Sequence, residues 1–198
     1  MQEASFEIPP DAVALDEHVF LRFPLPEDAA AFTHLVRQSH AHLARWVIDL
    51  EAVGDADGVR WFRGLLEANA GGSSHKLLVH RRQDGALLGC MNLNEIVRGA
   101  FQNAYLGYWI GAPYARQGYM AEALAAVLRY AFESEHLHRL EANIQPGNAY
   151  SRALVRRAGF RHEGFSPRYL RVGGTWCDHE RWALTIEDWL AQRTPSGA

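Results

Sequence analysis

The chain has 198 residues, a formal net charge of −3 and a hydrophobic content of 48%. This size and composition suit one domain with a substantial core, expected to be ordered over about residues 12–192, and exclude a largely disordered chain. No basic stripe is present and no apolar run is long enough for a membrane span, so direct nucleic-acid binding and a membrane location are not expected. The N-terminus does not resemble a signal peptide, and Cys90 and Cys177 form no CxxC motif. A reducing cytoplasm is expected, while a disulfide and the choice between monomer and dimer stay open.

The N-terminal third predicts one strand and two helices. The first strand of the sheet is expected over 19–23, and a helix begins at Pro26, where acidic residues follow in the first turn. A second, amphipathic helix is expected over 57–70, ended by two glycines. The residues expected to face the core are Phe32, Leu35 and Val36 in the first helix and Val59, Phe62, Leu65 and Leu66 in the second.

The middle of the chain predicts an antiparallel meander. Strands are expected over 76–80 and 86–94, joined by a Gln-Asp-Gly hairpin turn, with an interruption over 95–101. A third strand runs into Ile110 and alternates. Its two faces are Leu106, Tyr108 and Ile110 on one side and Gly107 and Trp109 on the other.

The stretch 106–130, LGYWIGAPYARQGYMAEALAAVLRY, predicts a strand, a tight turn and a helix. The first N–H groups of a helix have no partner inside it, and they attract phosphate. Gly118 would let a phosphate approach this backbone, and Arg116 adds a charged donor. Neither GxGxxG nor GxxxxGK[ST] occurs, so an ordinary strand–helix turn remains an alternative.

The C-terminal third predicts a strand over 138–144, a helix over 149–157 capped by Asn148, and a hairpin over 165–172 and 175–184. A short closing helix is expected after Thr185. The strands on either side of the helix after Gly118 should be parallel neighbours, since strand–helix–strand connections run that way.

Several separated motifs resemble one known family. They are 106–130, NLNEIVRGAFQNAYLGY over 92–108, RLEANIQPGN over 139–148, Ser151 followed by Ala-Gly-Phe160, and YLRVGGTW over 169–176. Together they resemble the GNAT superfamily (GCN5-related N-acetyltransferases), in particular its RimJ/RimL-type ribosomal-protein-alanine N-acetyltransferases. The resemblance extends from about Val19 to Trp189.

The resemblance implies an α+β fold in αβα layers, the GNAT fold, with a mixed, mostly antiparallel sheet that splays at an acetyl-CoA cleft. It also implies a co-substrate, acetyl-CoA, and no metal. The turn departs from the family's usual [QR]-x-x-G-x-[GA] at Ala115 and Met120, although its backbone amides can still hold a pyrophosphate. The cofactor-binding residues that the resemblance implies are Tyr108, Trp109, Ile110, Arg116, Gln117, Gly118, Tyr119, Met120, Asn148 and Ser151.

The implied reaction is direct acetyl transfer to a primary amine, foremost the N-terminal α-amino group of a protein such as a ribosomal protein. Glu141 is the first candidate for the base; Asn143 shares its strand face and Glu95 is the second carboxylate candidate. Glu141 could instead be a structural residue paired with an arginine of the adjacent helix. Ser151 stands where this branch has a serine proposed to protonate the leaving thiolate, or it serves only in the helix cap. Many relatives have a tyrosine where Val155 stands here.

Two other functions remain open from the sequence. One is acetylation of a small amine such as an antibiotic, a polyamine or an amino acid, because the fold does not fix the acceptor. The other is a non-catalytic acetyl-CoA-binding module or ribosome-assembly factor that keeps the cleft without turnover.

Overall fold

The computed structural model describes residues 6–46 and 57–193. Within them, eight strands form one sheet in the order β1-β2-β3-β4-β5-β6-β8-β7. The strands are β1 (Ala12–Leu15), β2 (Val19–Arg22), β3 (His75–Arg81), β4 (Leu87–Val97), β5 (Asn103–Ile110), β6 (Arg139–Ile144), β7 (Arg161–Val172) and β8 (Thr175–Thr185). The helices are α1 (Ala29–Leu43), α2 (Asp57–Ala70), α3 (Tyr119–Arg129), α4 (Ala149–Arg157) and α5 (Ile186–Arg193).

Only one pair of neighbouring strands in the described sheet is parallel, namely β5 with β6. Their register runs from Asn103 opposite Arg139 to Leu106 opposite Ala142. The pairing stops there, although β5 continues to Ile110 and β6 to Ile144. The two strands therefore part along the second half of β5, as expected for a sheet that splays.

Two hydrophobic cores cover the two faces of the sheet. The larger one joins the sheet to α3, α4 and α5 through residues such as Leu124, Val155 and Trp189. The smaller one joins it to α1 and α2. In this second core, Trp109 of β5 lies 5.7 Å from Phe32, measured between ring centroids. The αβα layering is thus confirmed, and it makes the outer face of each helix the solvent-exposed one.

Most predicted elements are present, and α2 and α4 have the predicted bounds. The strand predicted over 19–23 is present as β2 (Val19–Arg22), but it is not the first strand, because β1 precedes it and pairs antiparallel with it. A four-residue strand between acidic residues gives little pattern, so the neighbouring strand decides its conformation. Val59 was also placed wrongly in the core: it is 51% exposed, and Trp61 packs there instead.

The structure tests only part of the expectation that both ends of the chain are loose. Residues 1–5 and 194–198 lie outside the described part of the chain. The remainder of the N-terminal tail is attached, since the Phe6 ring stacks on Phe20 with centroids 5.8 Å apart.

Candidate active site

A cleft opens where β5 and β6 part. Strand β5 has two edges. Along the edge away from β6, it stays paired with β4 as far as Ile110, which lies opposite Gly89. On the β6 side, no described strand pairs with β5 beyond Leu106. Backbone N–H and C=O groups need hydrogen-bond partners, and an extended ligand with amide groups can supply them as an added strand would.

The start of α3 lies at the end of β5 and has the geometry of an anion site. Gly118 has a φ of 91° and is exposed, and a Cβ added there would meet nothing within 4 Å. The first helical bond runs from Ala121 N–H to Gly118 O at 2.8 Å, and no described side chain caps the helix. The N–H groups of the first turn are therefore available to an anion.

The turn before α3 is held by its own residues. Gln117 Nε2 donates to Pro113 O at 2.7 Å, and Arg116 adopts a φ of 61°. Both side chains are exposed. By contrast, Ile110 and Met120 pack against the larger core and Trp109 lies in the smaller one. These three predicted binding residues could therefore contribute backbone groups more readily than side chains.

Arg81 is a basic residue beside this turn that sequence reasoning missed. Its guanidinium lies 5.6 Å from the Tyr114 ring centroid. Hydrogen bonds with the Asp84 carboxylate and, to a smaller extent, with the Tyr119 hydroxyl raise the pKa of Arg81. Arg81 and Tyr119 also line a surface cavity of about 380 Å³. No local pattern indicates this, because Arg81 lies on β3 and Tyr119 on α3, and β4 and β5 separate these two elements in the sequence.

The face of the cleft toward α4 carries Tyr108 and Ser151. Asn148 Oδ1 accepts a hydrogen bond from Ser151 N–H at 3.1 Å, which confirms Asn148 as the helix cap. The Tyr108 hydroxyl oxygen is enclosed and completes no hydrogen bond with the described residues. Burial raises the pKa of Tyr108 to about 12, and the nearby Ser151 hydroxyl opposes this rise. Val155, one turn further on, is fully buried.

The opposite face of the cleft carries Glu141 and Asn143. Tyr105 of β5 lies between Asn94 of β4 and Glu141 of β6 in register, so the three share this face. Asn143 follows on the same face by the period of two, as predicted. Its side-chain oxygen is buried without a described hydrogen-bond partner. The structure thus places an unpaired polar atom on each face of the cleft.

The Glu141 carboxylate belongs to a charged network. Arg139 Nε donates to Glu141 Oε1 at 2.9 Å, and Arg139 also binds Glu163. The hydrogen bond from Arg139 lowers the pKa of Glu163. The predicted alternative, a structural glutamate paired with an arginine, is present as an ion pair. Its partner was placed wrongly, because Arg139 lies two residues away on the same strand and not on the adjacent helix.

Glu95 was expected in an interruption before the central strand, and this placement is wrong. It lies within β4, at a bulge between Asn94, which is opposite Tyr105, and Val97, which is opposite Asn103. Its φ is 49°, and its N–H donates to Ser74 Oγ at 3.2 Å. Burial raises the pKa of Tyr105, and the charges of Glu141 and then Glu95 add to the rise. Both carboxylate candidates therefore lie around Tyr105.

The two cysteines are free thiols, Cys90 buried and Cys177 partly exposed. Burial raises the pKa of Cys90. Among residues 6–46 and 57–193, no group of three or more His, Cys, Asp or Glu side chains is arranged to hold a metal ion. No helix in the same part of the chain is long and apolar enough to cross a membrane.

Comparisons with known proteins agree with this geometry. The chain is 43% identical over 158 residues to the [ribosomal protein uS5]-alanine N-acetyltransferase of Escherichia coli K12, covering 79% of this chain and 74% of that protein. The structure of Mycobacterium smegmatis RimJ in complex with CoA-disulfide is similar with a TM-score of 0.78 and 31% identity, over 86% of this chain and 83% of that one. The ribosomal-protein-S5-alanine acetyltransferase of Vibrio fischeri shares the fold, with a TM-score of 0.77 and 23% identity over 89% and 98% of the two chains. Residues 18–161 match the acetyltransferase (GNAT) domain family. The chain therefore belongs to the GNAT family of N-acetyltransferases.

Proposed function

We propose that this chain transfers an acetyl group from acetyl-CoA to the N-terminal α-amino group of a protein, with a ribosomal protein as the acceptor in the cytoplasm. The observation that carries the proposal is the 43% identity to a relative named for acetylating the alanine of ribosomal protein uS5. The open edge of β5 supports it, because this edge provides a place for the co-substrate beside the carboxylates of β4 and β6.

The residues of the cleft fit acetyl-CoA. The uncapped start of α3 suits a pyrophosphate, and Arg116 and Arg81 would add positive charge beside it. The edge of β5 from Gly107 to Ile110 suits the amides of a pantetheine arm. The unpaired atoms Tyr108 Oη and Asn143 Oδ1, one on each face, are where polar groups of the two substrates would find partners.

An α-amino acceptor needs little help to become a nucleophile. Its pKa is near ~8, so losing the proton at pH 7 costs only about 1 to 1.5 kcal/mol, whereas a lysine side chain with a pKa near ~10.4 costs roughly 4.6 kcal/mol. A carboxylate that acts through water is sufficient for the first case. Glu141 is the proposed base because it lies on the β6 face of the cleft, with Asn143 beside it to orient the amine. Glu95, exposed on the β4 bulge, is the second candidate.

The departing thiolate would leave toward the start of α4. Ser151 lies there in the first helical turn, where Asn148 holds its backbone N–H. A backbone N–H near the end of β5, around Trp109 and Ile110, would polarise the thioester carbonyl. The transfer is direct, so no covalent enzyme intermediate forms and neither cysteine takes part.

The test is thiol release from acetyl-CoA with a panel of acceptors. The panel contains short peptides that begin with Ala or Ser, the same peptides blocked at the N-terminus, a blocked peptide with a lysine, aminoglycosides and polyamines. Turnover is expected only with free N-terminal peptides. Turnover only with the small amines would overturn the proposal. No turnover with any member, although acetyl-CoA raises the melting temperature, would contradict the acceptor class and leave the co-substrate assignment standing.

A further inference from the structure

A row of three residues crosses the sheet at the point where β5 and β6 part. Asn92 of β4 lies opposite Gly107 of β5. The last pair between β5 and β6 is Leu106 with Ala142, so Gly107 and Asn143 are the next residues on the two strands. Two asparagines therefore flank, from the neighbouring strands, a position that has no side chain.

The side chains of both asparagines lie on the face of the sheet that carries Glu141. Their neighbours in the sequence, Leu93 and Ala142, pack in the larger core on the other face. Because successive side chains of a strand point to opposite faces, Asn92 and Asn143 point away from that core. An acceptor that approaches the proposed base therefore also approaches these two amides.

Both asparagines leave a carbonyl oxygen unused. Asn92 Oδ1 and Asn143 Oδ1 are enclosed, and neither accepts a hydrogen bond from any residue in the described part of the chain. An enclosed carbonyl oxygen without a donor is unfavourable, because it has lost its hydrogen bonds to water. Two such oxygens beside Gly107, where the cleft begins, indicate a ligand that supplies N–H groups.

A third amide, that of Asn94, supplies the opposite kind of group. Lys76 Nζ donates a hydrogen bond to Asn94 Oδ1. An ammonium group can only donate, so the oxygen end of this amide is the one turned toward Lys76. The Nδ2 end is turned toward β5, since a Cβ added at Gly107 would lie only 2.8 Å from it. Glycine at this position leaves the space that the Asn94 amide occupies.

The four residues Asn92, Asn94, Gly107 and Asn143 form a polar notch, the Gly107 notch, with two acceptors and one donor. We propose that the Gly107 notch recognises the α-amino group and the first carbonyl group of the acceptor together. The amine donates to Asn92 Oδ1 and Asn143 Oδ1, and the carbonyl oxygen of the first residue accepts from Asn94 Nδ2. This rests on the proposed function and deepens it, because it identifies the groups by which an N-terminus is selected.

The notch distinguishes an N-terminus from other amines by its carbonyl group. In a peptide, the α-amino nitrogen and the first carbonyl carbon are bonded to the same Cα, whereas a lysine side-chain amine and a polyamine have no carbonyl group so close. Such an amine would leave Asn94 Nδ2 without an acceptor, and a missing partner in an enclosed site weakens binding. The charge of Lys76 polarises the Asn94 amide, which makes Nδ2 a stronger donor.

The experiment compares two acceptor peptides in two enzymes. One peptide begins with a free alanine; in the other, an (E)-alkene replaces the first peptide bond, which keeps the shape and removes the carbonyl oxygen. The variant is Asn94→Asp, which keeps an oxygen for Lys76 and removes the donor. The alkene should lower kcat/KM of the wild type roughly three- to ten-fold more than that of the variant, the effect of one hydrogen bond. Any change that the alkene makes to the amine pKa is common to both enzymes, so equal losses would overturn the proposal.

Two further variants control for added charge and for amide burial. Asn94→Ala removes the donor without adding a charge, and its loss with the alkene should match that of Asn94→Asp. Asn103→Leu changes a buried amide whose two ends are both unpaired among the described residues, but which lies where β5 is still paired with β6. It should change the melting temperature and keep the full alkene effect of the wild type. A reduced alkene effect in Asn103→Leu would show that the Gly107 notch is not its source.

The amine side of the notch is tested by Asn92→Leu, which keeps the size of the side chain and removes the oxygen. KM for the alanine peptide should rise roughly three- to ten-fold, with KM for acetyl-CoA unchanged. An unchanged KM for the peptide would contradict the role of Asn92.

Peptide binding tests the notch without turnover. Both peptides are titrated into protein saturated with CoA at pH 6, where both amines are protonated. The wild type should bind the alanine peptide roughly three- to ten-fold more tightly than the alkene peptide, and Asn94→Asp should lose this preference. If the wild type binds in this way but transfers no acetyl group, the proposed function fails and the notch is supported. Equal affinities of the wild type for the two peptides would contradict the notch even if N-termini are acetylated.

Discussion

The two ends of the cleft are formed by different kinds of chemical groups. At the start of α3, the site consists of backbone N–H groups beside an exposed Gly118 with open space around it. On the β6 face, it consists of side chains, and the leading one, Glu141, is held by Arg139, which also holds Glu163. The proposed phosphate end therefore depends on local chain geometry, whereas the proposed acceptor end depends on a charged network that joins β6 to Glu163 of β7.

The largest expected effect lies at the acceptor end. Glu141→Gln keeps the shape of the side chain and removes the proposed base, so kcat should fall at least about a hundred-fold. Acetyl-CoA should still raise the melting temperature, because the co-substrate end is untouched. Steady-state rates with a free N-terminal peptide and thermal melts provide the measurement.

The matched control is Glu163→Gln, because Glu163 binds the same arginine. Its kcat should change far less than that of Glu141→Gln. Equal losses in the two variants would show that the charged network, and not one carboxylate, carries the activity. A Glu141→Gln enzyme as fast as the wild type would transfer the role of base to Glu95.

At the phosphate end, Gly118→Asp should weaken acetyl-CoA binding roughly ten- to a hundred-fold. The aspartate places a negative charge at the phosphate site and adds the strain of a φ of 91° on a non-glycine residue. Titration calorimetry with acetyl-CoA measures the affinity.

Gly72→Asp is the control for strain, since Gly72 has a φ of 70° and equally open space after α2. It should bind acetyl-CoA as the wild type does. Normal binding by Gly118→Asp would contradict the assignment of the turn to phosphate.

The smallest expected effect concerns pH. Because Arg139 lowers the pKa of Glu163 below its ordinary 4.5, this pair contributes stability above pH 4.5 and loses it as pH falls through the lowered value. Glu163→Gln should therefore reduce the free energy of unfolding at pH 7 by at most about 1 kcal/mol, since the pair is partly exposed. The difference from wild type should shrink toward zero in strongly acidic solution, as measured by urea unfolding. If Glu163→Gln and the wild type differed in unfolding free energy by the same amount at pH 7 and in strongly acidic solution, the ion pair would not be the cause of the difference.

The same contrast explains what could be predicted from the sequence. The turn at Gly118 and the Asn148 cap depend on neighbouring residues, so both were predicted correctly. The common face of Glu141 and Asn143 follows from the period of two in a strand. The partner of Glu141, however, depends on which of several nearby arginines reaches it, and sequence spacing alone pointed to the wrong one.

Two further features of the site could be recognised only once the pairing and packing of the strands were known. Glu95 lies on a bulge that exists only because β4 and β5 pair on both sides of it. Arg81 reaches the phosphate end through the packing of α3 across distant strands. Neither relation leaves a pattern in the local sequence, because each depends on pairing or packing between separate elements.

The most direct test of the central claim uses one peptide with a free N-terminal alanine and an internal lysine. After incubation with the protein and acetyl-CoA, mass spectrometry locates the acetyl group. We expect it on the α-amino group, with the lysine unmodified. Acetylation of the lysine in preference to the N-terminus would contradict the assignment of this protein as an N-terminal acetyltransferase.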